Sequence, residues 1–126
     1  MSIKRILSAL ALLVILTAAS PVLGGAKHGG QAVEIQGYQF ELVVEPESGG
    51  AHLDLFINDP KSKTVSNAAV QLQISAPGGQ KLSLPMQYGK GHYEAVLPAA
   101  AKGVYRVVAL ATVGGKKLNS RFSFKL

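Results

Sequence analysis

The sequence predicts an all-β protein, an immunoglobulin-like antiparallel β-sandwich of seven or eight strands, preceded by a helical signal peptide. Runs of alternating apolar and polar residues recur along the chain, and Gly and Pro stand at the joints between them. Such alternation places one set of side chains in a core and the other in solvent. No segment after Ala19 has a helical period. The chain lacks the Cys and Trp of true immunoglobulin domains, so the prediction concerns architecture alone.

The N-terminal residues have the three-part pattern of a secretory signal peptide. Lys4 and Arg5 precede an uncharged apolar run at 6–19, and small residues follow at 20–26. The run is shorter than the roughly 20 residues that span a bilayer. We therefore expect a signal peptide at 1–24, with cleavage after Gly24 or one of the next two residues. An uncleaved anchor is the alternative.

A cleaved signal peptide predicts an exported protein, periplasmic or secreted, that meets the membrane only transiently. The absence of cysteine excludes an acylated lipoprotein and leaves the fold dependent on its apolar core. Removal of Lys4 and Arg5 lowers the formal charge from +6 to +4. The basic residues are scattered without interleaved aromatic residues, so nucleic-acid binding is not expected.

The elements follow in order from the alternation. We expect a flexible N-terminal segment at 25–31 and one β-sandwich domain at 32–126. Its expected strands are 32–35, 38–45, 51–58, 70–75, 81–86, 92–97, 104–113 and 116–126. The strand 104–113 is the most apolar and should be central, and Gly114-Gly115 suits a type I′ or II′ hairpin. Six side chains are predicted to be buried together: Val70, Leu72, Ile74, Tyr105, Val107 and Phe122.

Catalysis is not indicated by any motif. A nucleophilic triad needs a Ser or Cys, a His and a carboxylate that converge, and the chain has no nucleophile elbow. The carboxylates of Glu41, Glu45 and Asp54 fall on outward positions of the expected strands. We therefore expect a protein that is not an enzyme, with no catalytic residues.

Metal binding has three candidate ligands: His28, Met86 and His92. Copper(I) favours thioether and imidazole ligands, and Met86 and His92 flank a Gly-rich break. In the competing interpretation, Met86 lies on the same face of its strand as Leu84 and packs in the core, whereas His92 is largely exposed. Met86 would then neighbour Tyr93 across a hairpin. Cleavage after Gly25 would create a third possibility, a copper(II) or nickel(II) site at an amino terminus that begins Ala26-Lys27-His28.

The chain resembles the YtkA-like domains, which are small exported β-sandwich modules. The likeness covers roughly 33–126. It rests on short motifs, which are AVQLQI at 69–74, PGG at 77–79, LPM at 84–86, GHYEA at 91–95, Leu97 and GVYRV at 103–107. The HGG at 28–30 and the RFSF at 121–124 are also similar to small periplasmic domains associated with heavy-metal efflux adaptors.

The resemblance implies an exported module for which copper or other metal handling is one recurrent context. Family members often carry a second Met before the Gly-His, and this chain has Tyr88-Gly89-Lys90 there. We expect a non-catalytic module that binds or supports a partner in the cell envelope. A periplasmic accessory protein that binds copper or another heavy metal is the alternative.

Overall fold

The computed structural model describes residues 20–21, 26–98 and 101–126, and these residues form an all-β protein. The predicted signal peptide lies outside the described residues except for Ser20–Pro21. Within the described ranges there is no helix of a length and apolarity suited to crossing a membrane. The strands are β1 (Ser20–Pro21), β2 (Gln31–Ile35), β3 (Tyr38–Glu47), β4 (Gly50–Asn58), β5 (Ala69–Ser75), β6 (Lys81–Pro85), β7 (Gln87–Gly89), β8 (His92–Pro98), β9 (Val104–Val113) and β10 (Lys116–Lys125).

The strands form two antiparallel sheets, and their order confirms the predicted architecture. The first sheet has the order β1-β2-β3-β4-β8-β7 and the second has the order β10-β9-β5-β6. The series β3-β4-β8-β7 corresponds to strands A-B-E-D of an immunoglobulin domain, and β10-β9-β5-β6 to G-F-C-C′. We call them the ABED sheet and the GFCC′ sheet. Strand β9 is central, as predicted.

The structure has two short strands, β1 and β7, that the sequence did not predict. Strand β7 arises because the strand predicted at 81–86 ends at Pro85, after which the chain crosses from one sheet to the other. Proline cannot donate a ladder hydrogen bond, so it suits a strand end. The N–H of Met86 donates to the carbonyl of Val70, and β7 then pairs with β8 in the other sheet.

The core lies between the sheets and contains all six side chains that were predicted to be buried together. Gln73 is exposed on the opposite face of β5, so the predicted register is confirmed. Tyr105 is buried at the start of β9, and its hydroxyl donates to the carbonyl of Ala101. This is the tyrosine corner of immunoglobulin-like sandwiches, in which a Tyr near the start of strand F ties down the preceding loop.

The β9–β10 hairpin has the predicted turn, whereas the β7–β8 hairpin differs from prediction in its register. Gly114 and Gly115 both have positive φ, as a type I′ turn requires. Lys90 and Gly91 likewise have positive φ and form a two-residue turn that pairs Gly89 with His92. This register places Tyr88 opposite Tyr93, so the predicted neighbour relation between Met86 and Tyr93 is wrong.

Candidate metal centre

The outer face of the ABED sheet carries two copies of one short pattern on neighbouring strands. His52-Leu53-Asp54 lies on β4 and His92-Tyr93-Glu94 lies on β8. Alternation sends Leu53 and Tyr93 into the core, and it sends each histidine and carboxylate outward. The antiparallel register sets Asp54 directly opposite Glu94. The two histidines therefore flank the pair of carboxylates from opposite ends.

The four polar side chains converge on one point of the surface. The Nε2 atom of His52 lies 3.0 Å from Oδ1 of Asp54 and 3.8 Å from Oε1 of Glu94. The Nε2 atom of His92 lies 3.4 Å and 3.0 Å from the same two oxygens. Ligand atoms of His52, Asp54 and Glu94 all fall within 4.8 Å of one another. Each imidazole thus faces both carboxylates.

Asp54 is the mostly buried member of the carboxylate pair, whereas the Glu94 side chain is 45% exposed. A positive charge nearby would therefore stabilise Asp54 in particular. Like charges directly opposite each other destabilise a pair of strands, and the Asp54 side chain is only 13% exposed. Its Oδ1 atom is buried and accepts no well-aligned hydrogen bond, although His52 Nε2 is near. Buried polar atoms almost always have a partner. An atom of this kind is therefore a natural ligand for a positive ion.

The donor atoms fit the coordination shell of a small transition-metal ion. Zinc binds imidazole nitrogen and carboxylate oxygen at 2.0–2.2 Å in tetrahedral geometry, which separates its ligand atoms by roughly 3.3 Å. The four nitrogen–oxygen distances in the cluster range from 3.0 to 3.8 Å around that value. Two imidazoles and two carboxylates also match zinc, copper(II) and nickel(II) in ligand type. His52, Asp54 and Glu94 lie close enough together to share one ion. His92 faces the same two oxygens and could complete the shell if its ring turned towards that ion.

Phe56 borders the cluster and separates it from the third histidine. It follows Asp54 by two residues on the outer face of β4, and its ring centroid lies 5.0 Å from that of His92. The ring of His28 stacks on Phe56 at 3.7 Å, with the planes 5° apart. Phe56 thus gives the cluster an apolar wall, and His28 covers the far side of that wall.

Glu41 on β3 holds the N-terminal segment that carries His28. Its carboxylate accepts hydrogen bonds from the backbone N–H groups of Lys27, His28 and Gly30 at 2.8–3.0 Å. Nδ1 of His28 lies 3.1 Å from the same carboxylate. A Cβ at Gly30 would come within 2.3 Å of the Leu42 carbonyl oxygen, so only glycine fits this close approach. The segment predicted to be flexible is therefore anchored to β3 at residues 27–30.

Burial and hydrogen bonding act in opposite directions on Glu41. Burial raises the pKa of the carboxyl, but the N–H of Gly30 and the ring and N–H of His28 together hold that pKa below its ordinary value. Hydrogen bonds to a carboxylate favour its charged form. Glu41 therefore anchors the segment as an anion.

Tyr93 lies in the core, on the opposite face of β8 from His92 and Glu94. Its hydroxyl donates to the carbonyl of Val65 at 2.7 Å and accepts from the N–H of Ala68 at 3.0 Å. Burial raises the pKa of Tyr93 above its ordinary value. The ring is buried and its neighbours in the chain are His92 and Glu94, so these contacts fix the part of β8 that carries two members of the cluster.

The structure brings only one of the three predicted metal ligands to the cluster. His92 is a member, and the expectation that it would be largely exposed is wrong because its side chain is 16% exposed. Met86 is buried between the sheets, as the competing interpretation predicted. His28 contacts Glu41 and Phe56 instead of the four ligands.

Sequence reasoning missed His52, Asp54 and Glu94 as candidate ligands. Their signal was the repeated His-x-acid pattern, which alternation places on an outer face in both strands. The pattern becomes a site only because β4 pairs with β8 in the observed register.

Comparison with known proteins supports the fold and leaves the site unassigned. No family model matches the chain, and no curated protein matches it. A solved structure described as the crystal structure of a Br derivative of BhCBM56 matches with a TM-score of 0.53 and 17% identity. The match covers 78% of this chain and 100% of that chain. At this identity the likeness shows a shared fold.

Proposed function

We propose that this protein is a non-catalytic, exported β-sandwich module that binds one divalent transition-metal ion on the outer face of its ABED sheet. The buried oxygen of Asp54, which lies against Glu94 and two imidazoles without a well-aligned hydrogen bond, carries the proposal. A cation there would relieve the repulsion between the carboxylates and satisfy that oxygen.

The ligand set favours zinc or copper(II). Imidazole and carboxylate ligands suit these ions, whereas copper(I) prefers sulfur. The thioether of Met86 is in the core, so it is not a ligand in this proposal. Between the two ions, copper(II) has the higher intrinsic affinity for such ligands, and the supply of metal decides which ion is bound.

The number of protein ligands supports binding in preference to catalysis. Catalytic zinc sites typically have three protein ligands and keep a fourth position open for water or substrate. Here two imidazoles and two carboxylates are available, enough to complete a tetrahedral shell. The resemblance to YtkA-like domains and the predicted signal peptide extend the proposal to a metal-handling accessory protein in the cell envelope.

Calorimetric titration of the purified protein with zinc and with copper(II) tests the proposal. We expect one ion per chain. Asp54→Asn or His92→Ala should weaken binding by more than the roughly 10–100-fold that loss of an outer hydrogen-bond partner costs, because the first removes the charge of a ligand oxygen and the second removes an imidazole ligand.

The matched controls are the two residues that the sequence indicated and the structure places elsewhere. His28→Ala and Met86→Leu should leave the stoichiometry unchanged and weaken binding far less than Asp54→Asn. Absence of binding by the unaltered protein would contradict the proposal. So would an equal loss of affinity in the control variants.

A further inference from the structure

Charge is segregated between the two sheets. The strands β5, β6, β9 and β10 of the GFCC′ sheet, all fully described, contain no Asp or Glu. Their basic residues are Lys81, Arg106, Lys116, Lys117, Arg121 and Lys125. Strands β2, β3, β4, β7 and β8 of the other sheet contain no Lys or Arg. Their acidic residues are Glu34, Glu41, Glu45, Glu47, Asp54 and Glu94. The protein thus has one acidic sheet and one basic sheet.

Five of the six basic side chains of the GFCC′ sheet lie on its outer face. Lys116 instead lies on the same side of β10 as the buried Leu118, and its Nζ is 5.7 Å from the ring centroid of Tyr38 in the other sheet. Arg106 alternates with the buried Tyr105 and Val107, and Arg121 alternates with the buried Ser120 and Phe122. Arg106 pairs with Ser123, so it lies diagonally across from Arg121. Diagonal neighbours in a sheet are close enough for long side chains to meet on a common partner. The two arginines can therefore engage one anionic group together.

Amides and hydroxyls surround these charges in rows that cross the strands. The register sets Ser123, Arg106, Ser75 and Lys81 side by side in one row. The next two rows are Arg121, Val108, Gln73 and Ser83, and then Asn119, Leu110, Gln71 and Pro85. This face therefore offers hydrogen-bond donors and acceptors at regular spacing, and its larger aliphatic side chains, Val108 and Leu110, lie along β9.

Shallow grooves divide the same face. One of about 400 Å³ is lined by Gln73, Ser75, Lys81 and Ser83, among others. Another of about 530 Å³ lies at the edge of this face, between β2 of the other sheet and the strands β9 and β10, where Arg106 and Arg121 border a largely apolar lining. A third of about 490 Å³ is bordered by Gln71, Asn119 and Lys117. Each groove is within the size range of ligand sites, and together they extend across the sheet.

We infer that the outer face of the GFCC′ sheet binds an acidic polysaccharide, a linear chain of sugars that bear carboxylates. The arginines suit carboxylate groups, since guanidinium binds them in bidentate fashion. The amides and hydroxyls suit the hydroxyl groups of sugars. The row of grooves suits an extended chain in preference to a compact ligand.

Other polyanions fit this face less well. Single-stranded nucleic acid is bound on aromatic side chains that stack with bases, and strands β5, β6, β9 and β10 present no aromatic residue on the outer face. Proteins that lie on membranes insert apolar or aromatic side chains at the interface. Here Val108 and Leu110 are half-buried at the centre of the face, and polar side chains border them.

The acidic sheet does not cancel this attraction. Packed sheets are about 10 Å apart, and the two charged faces point in opposite directions from the core. Screening at physiological salt acts over about 8 Å. A polyanion on the GFCC′ face therefore meets the local basic charge.

Affinity electrophoresis and calorimetry with polygalacturonate, in EDTA and at physiological salt, test the inference independently of the metal site. We expect the full chain to bind this polymer and to ignore a neutral glucan. Hydrogen bonds to charged groups are among the strongest in proteins, so Arg106→Gln/Arg121→Gln should weaken binding at least about tenfold. The matched control is Lys61→Gln/Lys63→Gln, which removes the same charge from the exposed loop between β4 and β5 and should bind as the unaltered protein does.

Three results would overturn the inference. One is no binding of polygalacturonate at physiological salt. The second is an equal loss in both double variants, which would indicate attraction to net charge alone. The third is tighter binding of single-stranded DNA or of vesicles containing phosphatidylglycerol, which would assign the face to a different polyanion.

Discussion

Asp54 is the residue on which the proposed site depends most. Its carboxylate lies opposite Glu94 in the register, is mostly buried, and has an oxygen that accepts no well-aligned hydrogen bond. In a purely structural role such a residue would be well paired. A buried polar atom without a hydrogen-bond partner needs an explanation, and a bound ion is one of those available.

Asp54→Asn should separate a structural role from a metal-binding role. In EDTA at pH 8, loss of one of two opposed negative charges should raise the free energy of unfolding, by roughly 0.2–1 kcal/mol for a cross-strand pair. The same variant should show no stabilisation by added zinc. Denaturant unfolding of both proteins, with and without zinc, measures this. A variant less stable than the unaltered protein in EDTA would instead indicate a structural ion pair with the histidines.

The core register gives a prediction for two adjacent residues of β5. Ile74 is 1% exposed and Gln73 lies on the opposite face. Ile74→Ala should lower the free energy of unfolding by roughly 2–5 kcal/mol, because it removes buried methyl groups and leaves a cavity. Gln73→Ala should change it little. Equal losses in urea unfolding would contradict the register.

At the scale of elements, the N-terminal segment is attached to β3 by the charge of Glu41. Its carboxylate accepts hydrogen bonds from three backbone N–H groups and contacts His28, whose ring stacks on Phe56. Glu41→Gln keeps the shape of this side chain and removes its charge. We therefore expect the variant to release the segment at neutral pH, which should speed tryptic cleavage after Lys27. Lys90→Gln, a change in the exposed β7–β8 turn, is the control and should leave that rate unchanged.

The lowered pKa of Glu41 makes the same attachment dependent on pH. A carboxyl whose pKa is lower in the folded state stabilises that state fully above its unfolded pKa, about 4.3 for Glu. The contribution is lost as the pH falls below that value and through the lowered folded pKa. The ring resonances of His28 and Phe56 should therefore shift together in this acidic range. Resonances that stay unchanged down to global acid unfolding would contradict the assignment.

The sequence predicted each strand's buried face better than it predicted the site. Alternation is a local signal, so Ile74, Tyr105 and Phe122 could be assigned to the core from their own strands. The metal cluster instead requires His52 and His92 to meet, and they lie on strands whose pairing depends on distant contacts. A shift of one residue in that pairing would separate Asp54 from Glu94.

At the scale of the whole molecule, the sandwich keeps the two proposed binding faces apart. The proposed metal centre lies on the outer face of the ABED sheet, and the basic rows lie on the outer face of the GFCC′ sheet. Core residues between the sheets, such as Tyr93 and Tyr105, position both faces through hydrogen bonds to neighbouring loops. The two proposals can therefore fail or succeed independently.

Metal binding should stabilise the fold as a whole. A ligand that binds only the folded state, at about one hundred times its Kd, adds about 2.7 kcal/mol to the free energy of unfolding. For a domain of this size the Tm should rise by on the order of 10 °C. Calorimetric melting with and without zinc measures the rise, and Asp54→Asn should abolish it. A Tm that zinc does not change would contradict binding to the folded protein.

The identity of the ligand atoms is the most direct test of the central claim. X-ray absorption fine structure at the zinc edge, on protein loaded with one equivalent of zinc, distinguishes nitrogen or oxygen at 2.0–2.2 Å from sulfur at about 2.3 Å. We predict only nitrogen and oxygen ligands, two of which are imidazoles. His52→Ala should remove one imidazole, and His28→Ala should remove neither. A sulfur ligand from Met86, or an imidazole that disappears in His28→Ala, would contradict a centre built from His52, Asp54, His92 and Glu94.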